Sequence, residues 1–205
     1  LQHQMNPHFL FNVLLTIQIK AKRSGNETIY KMVSKLSALL RASIYTNNVD
    51  RITVGEELEY TEFYLYLQKM RFEDRFFYKI IVEDEELKKS IIPKFVIEPI
   101  VENAVIHGIE NIENEGVIRI VLKKMGTDLL VTVQDNGAGF DVKEYFNSLE
   151  QAENGSSREK IGLKNVDLRL RHIYGEEYRI KIKSKINTGT TIYIKIPIEE
   201  REENV

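Results

Sequence analysis

No cysteine occurs in the 205 residues, so disulfide frameworks and thiolate-metal sites are excluded. There is no His-Glu-x-x-His pair and no Gly-x-x-x-x-Gly-Lys-Ser/Thr loop, which removes two common catalytic sites. No apolar run approaches the length needed to cross a bilayer, and no signal-peptide pattern is present. An excess of one charge is also lacking: Lys and Arg total 29 against 31 Asp and Glu, a formal net charge of −2. That balance argues against a general binder of nucleic acid or membrane surfaces. Internal repeats and low-complexity tracts are absent as well. What is present is 42% hydrophobic and 29% charged residues, enough to bury a core in one large domain or two small ones. Leu1 enters mid-helix, with no cap and no methionine, and the chain reads as a portion of a longer protein.

Residues 1–22 read as a helix that is apolar nearly all round, since only Asn12, Thr16 and Gln18 are polar between Phe9 and Ile19. Such a helix needs burial on several sides, as in a bundle. Pro7 removes an internal hydrogen bond and predicts a kink beside His8. By spacing alone, His8 is a core histidine at that kink. After the turn Ser24-Gly25-Asn26, a second helix over 27–46 carries Ile29, Met32, Val33, Leu36, Leu39 and Leu40 on one side. One hairpin cannot cover its own seam. Two related by a twofold axis can, which predicts a homodimeric four-helix bundle. The alternative is that the seam packs on the rest of the same chain.

Thr53 and Glu56 form a capping-box pair ahead of a helix over about 54–72. Strands are expected at 76–83, 117–124 and 129–134, the last two joined by Met125-Gly126-Thr127-Asp128, with a charged turn over Asp84–Ser90. A helix over 162–174 ends at Gly175. Tyr178–Ser184 and Thr191–Pro197 read as a closing strand pair, and Glu199–Val205 as a charged tail. Residues 141–160 are polar and irregular, a loop long enough to be functional. The expected fold class is α+β: an N-terminal helical hairpin, then an α/β sandwich with a mixed sheet and helices on one face.

Residues 94–109 are the densest stretch of chemistry. Read as one helix, the apolar positions 97, 100, 101, 104 and 105 form a buried stripe interrupted by Glu98, Glu102, Asn103 and His107. Taken alone, an ordinary amphipathic helix with a polar edge explains this equally well. Two other stretches change the balance. Asp135-Asn136-Gly137-Ala138-Gly139 follows an apolar run, and Lys160-Ile161-Gly162-Leu163-Lys164-Asn165 opens another helix. The ordered set resembles the ATP site of the gyrase, heat-shock chaperone, histidine kinase and MutL superfamily. Gln4-Met5-Asn6-Pro7-His8-Phe9-Leu10-Phe11-Asn12 looks like the phosphoacceptor signature of LytS/YesM-type sensor histidine kinases. With Gly189-Thr190, the resemblance covers almost the whole chain.

The resemblance implies residues 1–73 as a helical dimerisation and phosphoacceptor region with a linking helix, and 74–205 as the ATP-binding catalytic domain. It implies His8 as phosphoacceptor, Glu102 as the acidic neighbour in the kinases, and Asn103 as the amide oxygen for Mg²⁺. His107 matches a position facing the phosphates. Asp135 matches the adenine aspartate, Gly137 and Gly139 the turn beneath the ring, and Thr190, in preference to Thr191, the threonine at the same edge. Gly162, Leu163, Lys164 and Asn165 match the phosphate-side helix start, where free N–H groups hold anions. Arg158 and Lys160 add charge to the expected lid. ATP and Mg²⁺ are the implied cofactors, a homodimer and a response-regulator receiver the implied partners. The chain is then the cytoplasmic portion of a bacterial membrane protein.

Three departures stand out. Lys160 replaces the first glycine of the usual Gly-x-Gly-Leu. A glutamate placed for hydrolysis is not matched. Phe9 follows His8 where most histidine kinases carry an acid. Alternatives are a nucleotide-binding scaffold without kinase activity and a protein-serine kinase of the same superfamily.

Overall fold

The computed structural model describes residues 7–45, 50–145 and 161–199. The chain divides into two compact units, Leu1–Asp50 and Arg51–Val205.

The first unit is a helical hairpin of α1 (Pro7–Arg23) and α2 (Glu27–Tyr45). Gly25 turns the chain at φ +70°, a conformation that favours glycine, and Asn26 caps α2 by accepting the Ile29 N–H at 3.0 Å. Leu14 and Ala21, seven residues apart, are buried in the hairpin. Phe9 is 68% exposed, Leu15 53% and Ile19 45%, so the hairpin leaves most of the apolar surface of α1 uncovered. Ile29, expected in the seam, is also exposed. The kink at Pro7 involves residues outside the described ones, as do Gln4, Met5 and Asn6 of the acceptor stretch.

The second unit begins with a two-stranded ribbon, β1 (Arg51–Thr53) against β3 (Ile91–Pro93). Neither short strand is foreseen by the sequence pattern. The expected capping box is present: the Thr53 hydroxyl accepts the Glu56 N–H while Glu56 takes the Thr53 N–H, and α3 runs from Val54 to Phe72. Five strands form the main sheet: β2 (Phe76–Val82), β4 (Gly116–Met125), β5 (Asp128–Asp135), β6 (Lys181–Lys185) and β7 (Gly189–Pro197). Their order is β2-β4-β5-β7-β6, with β2 parallel to β4 and every other pair antiparallel, a mixed sheet as expected.

Alternation sorts each strand into two faces. Ile118, Ile120 and Leu122 of β4, Leu129, Val131 and Val133 of β5, and Ile192, Ile194 and Ile196 of β7 point inward. They form one core with Leu58 and Leu65 of α3, Ile100 and Val101 of α4 (Glu98–Asn103), and Leu163, Val166 and Leu170 of α5 (Ile161–Tyr174). Helices therefore cover one face of the sheet.

Two expectations are corrected. The helix expected over 94–109 starts only at Glu98, because Lys94–Ile97 direct their backbone elsewhere, and it widens into a π-helical turn over Ala104–Ile109. The strand expected from Tyr178 begins at Lys181, since Glu176–Tyr178 make a single helical turn after Gly175, whose φ of +107° ends α5. The expected lid over 141–160 falls largely on residues outside the described ones, including Arg158 and Lys160, and so does the tail beyond Glu199.

Candidate nucleotide site

A cavity of about 290 Å³ lies between α4, the turn after β5, the start of α5 and the start of β7. Ile100, Ala104, Val133, Leu163 and Ile192 supply apolar walls, and Asn103, His107, Asp135 and Thr190 supply polar groups. A mostly apolar slot with a few converging polar groups is the usual form of a small-molecule site.

Asp135 stands at the end of β5 and is 7% exposed. Its Oδ1 accepts the N–H of Gly137 at 2.8 Å and of Thr190 at 3.2 Å. Oδ2 takes no hydrogen bond among the described residues and remains the acceptor offered to the cavity. Burial pushes the carboxyl up to about 6, and the two N–H groups, which favour the ionised form, offset only part of that rise. Thr190 is buried beside it, with Oγ1 2.9 Å from the Ser184 hydroxyl. Thr191, one position on, lies on the opposite face of β7.

The turn after β5 is held by backbone contacts. Ala138 donates its N–H to the Gly108 carbonyl at 3.1 Å, and Asn187 donates to the Ala138 carbonyl at 2.6 Å. A Cβ on Gly137 would sit 2.3 Å from Gly108 Cα, so Gly137 serves the approach of the turn to α4. Gly139 lines the cavity at φ +60°, where a Cβ would stand 2.1 Å from the Lys185 carbonyl oxygen.

Asn103 closes the α-helical part of α4. Its Nδ2 donates to the Pro99 carbonyl at 2.6 Å, which fixes the amide so that Oδ1 is presented as an acceptor. Gly162, in the first turn of α5, is so close that a Cβ there would lie 2.9 Å from Asn103 Nδ2. Glu102 is exposed and is not part of the lining, and Lys164 and Asn165 are likewise exposed outside it. His8 belongs to the first unit, where it is exposed beside Asn12, whose Nδ2 is 3.3 Å from His8 Nδ1.

The start of α4 has a support that the sequence pattern alone does not reveal. Glu57, in α3, is fully buried, and its carboxylate accepts four backbone N–H groups. Phe95 donates to Oε2 at 2.9 Å; Val96 and Ile97 donate to Oε1 at 2.8 and 2.9 Å, and Glu98 at 3.3 Å. This is N-terminal capping supplied from another helix: the carboxylate meets the free N–H groups and the positive end of the dipole. The available signal was its position, three residues after Val54 and four before Thr61, on the stripe that α3 buries. Phe95 adopts φ +60°, unusual for a bulky residue, and Arg169 of α5 holds the Lys94 carbonyl just before it. Glu98 is pushed up to about 7 by burial first, then by the neighbouring Glu102 and Glu57 carboxylates.

Gly108, Phe140, Tyr145 and Ser184 complete the surroundings and were not singled out by sequence. Phe140 and Tyr145 pair at 5.1 Å between ring centres, and the Phe140 N–H is held by the Ser184 hydroxyl at 2.9 Å.

Residues 1–76 match the family model described as histidine kinase, and residues 89–200 match that of the histidine kinase-, DNA gyrase B- and HSP90-like ATPases. The sensor histidine kinase YesM of Bacillus subtilis is 37% identical over 96% of the chain, which corresponds to 32% of that protein. The sensor histidine kinase YpdA of Escherichia coli is 34% identical over 96% of the chain and 33% of its own length. The sensor protein LytS of Staphylococcus haemolyticus is 32% identical over the full chain and 35% of its own length. The chain thus spans about a third of the length of the curated relatives it matches. Among solved structures, the catalytic domain of histidine kinase ThkA superposes with a TM-score of 0.54 at 16% identity, covering 72% of this chain and 95% of that one. The histidine kinase domain of the Erythrobacter litoralis EL346 blue-light activated kinase gives 0.51 at 14% identity over 96% and 91%. Both share the fold.

Proposed function

The chain belongs to the histidine kinase-, DNA gyrase B- and HSP90-like ATPases, in the branch of the sensor histidine kinases, and from that premise we propose that it moves the γ-phosphoryl group of ATP to His8 and then to an aspartate of a response regulator. The observation that carries the reading is Asp135, buried at the floor of an apolar slot with Oδ1 tied to the backbone and Oδ2 open to the cavity. An adenine amino group is the donor that such a carboxylate suits, through a charge-assisted bond. Ala104, Val133 and Ile192 enclose the ring, and Thr190 meets its edge.

The chemistry of the donor set fits Mg²⁺. Asn103 offers a neutral oxygen, and no three His, Asp or Glu side chains converge among the described residues. A metal that keeps most of its waters needs no more from the protein. When bound, Mg²⁺ would be held by Asn103 and would supply neutralisation of the phosphate charge that develops on the leaving group. Leu163 in the first turn of α5 and His107 both line the cavity, so free N–H groups at Gly162 and Leu163 would hold phosphate oxygens, with Lys164 and Asn165 next in the chain. Glu102 takes the acidic position beside Asn103. In the transfer, an imidazole nitrogen of His8 forms a bond to the γ-phosphorus as the bond to the bridging oxygen of ADP breaks. The ring proton passes to water, to which His8 is exposed. Residues 1–73 serve as dimerisation and acceptor region with a linking helix, α3, which packs within the second compact unit, and 74–205 as the ATP-binding domain. The uncovered apolar surface of α1 supports a homodimeric four-helix bundle. The full-length protein is membrane-anchored ahead of Leu1, although no described helix is itself long and apolar enough to cross a membrane.

The test is an intact-mass measurement after incubation with Mg-ATP, without acid quench, on the chain and on its His8→Gln and Asp135→Asn variants. One acid-labile phosphoryl group, absent from both variants, is expected. Phosphate retained by His8→Gln overturns the acceptor assignment. ATP binding without any phosphate on the unaltered chain overturns the kinase reading in favour of a scaffold.

A further inference from the structure

The face of the five-stranded sheet turned away from the helices is cationic. Lys79 of β2 and Arg119 and Lys123 of β4 are exposed on one side of it. Lys181, Lys183 and Lys185 of β6 are exposed on the other. None of these six makes an ion pair among the described residues. Lys195 of β7 joins the second group, with Asp128 at 3.4 Å, and Asp128 is the only carboxylate on the outward strand positions. In a chain whose formal net charge is −2, seven cations on one sheet face are a segregation of charge.

The cations form two ridges. Between them run β5 and β7, whose outward residues Thr132, Gln134, Thr191 and Tyr193 are neutral and polar, with the apolar Leu130 and Pro197 beside the Asp128–Lys195 pair at one end. From β4 to β6 is three strand spacings, about 14 Å. An α-helix with its side chains measures about 10–12 Å across, so one helix fills the strip and reaches both ridges.

We propose that this open sheet face is a docking surface for an acidic protein helix, laid along β5 and β7 with carboxylates on both flanks. A lipid surface is a poorer fit. Membrane docking needs exposed apolar side chains to enter the headgroup boundary; Phe77 and Val117 are exposed at the β2–β4 corner, outside the strip, while Leu130 within it is half-buried between Lys123 and Lys195. Single-stranded nucleic acid needs stacking rings. Tyr193 is the aromatic residue of the strip, and the Lys183 ammonium lies over its ring at 5.5 Å. The strip is small against a standard interface, so the contact is transient and sensitive to salt. It does not depend on the phosphoacceptor reading.

The experiment titrates the chain with a synthetic glutamate–alanine helical peptide and follows backbone amide shifts. Saturable binding is expected at low ionic strength, with shifts confined to β4, β5, β7 and β6. Affinity is expected to fall roughly tenfold or more in the double variant Arg119→Glu, Lys183→Glu and again at physiological salt. Thermal melting of the double variant should match that of the parent, since both residues are exposed. Absence of binding overturns the proposal, as does binding that the double variant leaves unchanged. Tighter binding to phosphatidylglycerol vesicles or to oligothymidine under the same conditions overturns it as well.

Discussion

Gly137 and Gly108 meet backbone to backbone: a Cβ on Gly137 would lie 2.3 Å from Gly108 Cα and 2.7 Å from its carbonyl oxygen. The same carbonyl accepts the Ala138 N–H at 3.1 Å, so the turn carrying the floor of the cavity is fastened to the helix that forms its wall. No side chain can be accommodated without separating them. Gly137→Ala is expected to lower stability by about 3 kcal/mol or more, an overpacking cost against rigid backbone. Urea unfolding with an intrinsic-tyrosine signal measures it, and a loss below about 1 kcal/mol would show that the turn can move away.

The four N–H groups on Glu57 make a second prediction. Glu57→Gln keeps the shape but places an amide N–H₂ where donors already converge. A buried donor facing donors loses its bond and leaves another unmade, so a cost of about 2–4 kcal/mol is expected. ATP affinity should fall with it, because α4 carries Asn103. Unfolding midpoints with and without nucleotide separate the two effects.

Asp135 predicts a dependence on pH. Its carboxyl is raised to about 6 from the usual 3.8, so the folded chain disfavours the ionised form. The stabilising contribution is present below pH 4, is lost as pH rises through 6, and above that the charge costs on the order of 2–3 kcal/mol. Asp135→Asn should therefore stabilise the nucleotide-free domain at pH 8, with the gain vanishing near pH 4, while ATP binding is abolished. The unaltered chain should bind ATP less well below pH 6, where the charged acceptor is lost. Glu98→Gln is the contrast: raised to about 7 by burial, Glu98 should give a similar stability gain above pH 7 with ATP affinity unchanged, since it does not line the cavity. Melting curves from pH 4 to 8 check both.

Gly162→Ala separates stability from metal use. Alanine favours a helix by up to about 1 kcal/mol over glycine, yet its Cβ would press on Asn103 Nδ2 at 2.9 Å. The melting temperature should hold or rise slightly, while Mg-ATP affinity drops about tenfold, a loss of about 1.4 kcal/mol. Metal-free ADP binding should change little. Equal losses with and without Mg²⁺ would place Asn103 outside metal binding.

What the sequence made legible follows from distance along the chain. Thr53 and Glu56 are three residues apart, and their capping box is present as read. Strands β4, β5 and β7 follow from alternation and fall within a residue or two of their expected ends. Asn103, His107, Asp135, Gly139, Leu163 and Thr190 were each marked by a local motif, and the fold brings them to one cavity. Gly137 and Gly162 stand just behind it, against Gly108 and Asn103. What escaped notice depends on partners far away. Glu57 is 39 residues from Val96, and a glutamate on a charged helix reads as solvated until its partners are in place. The ribbon of β1 and β3 is three residues long on each side, too short for alternation to register. The π-helical turn after Asn103 has no periodic signature at that length.

The carboxylate of Glu57 also makes two helices one mechanical part. Four hydrogen bonds to one side chain fasten α3 to the residues that lead into α4. The helix that carries Asn103 is therefore hung on α3 at a single hinge pin, the side chain of Glu57.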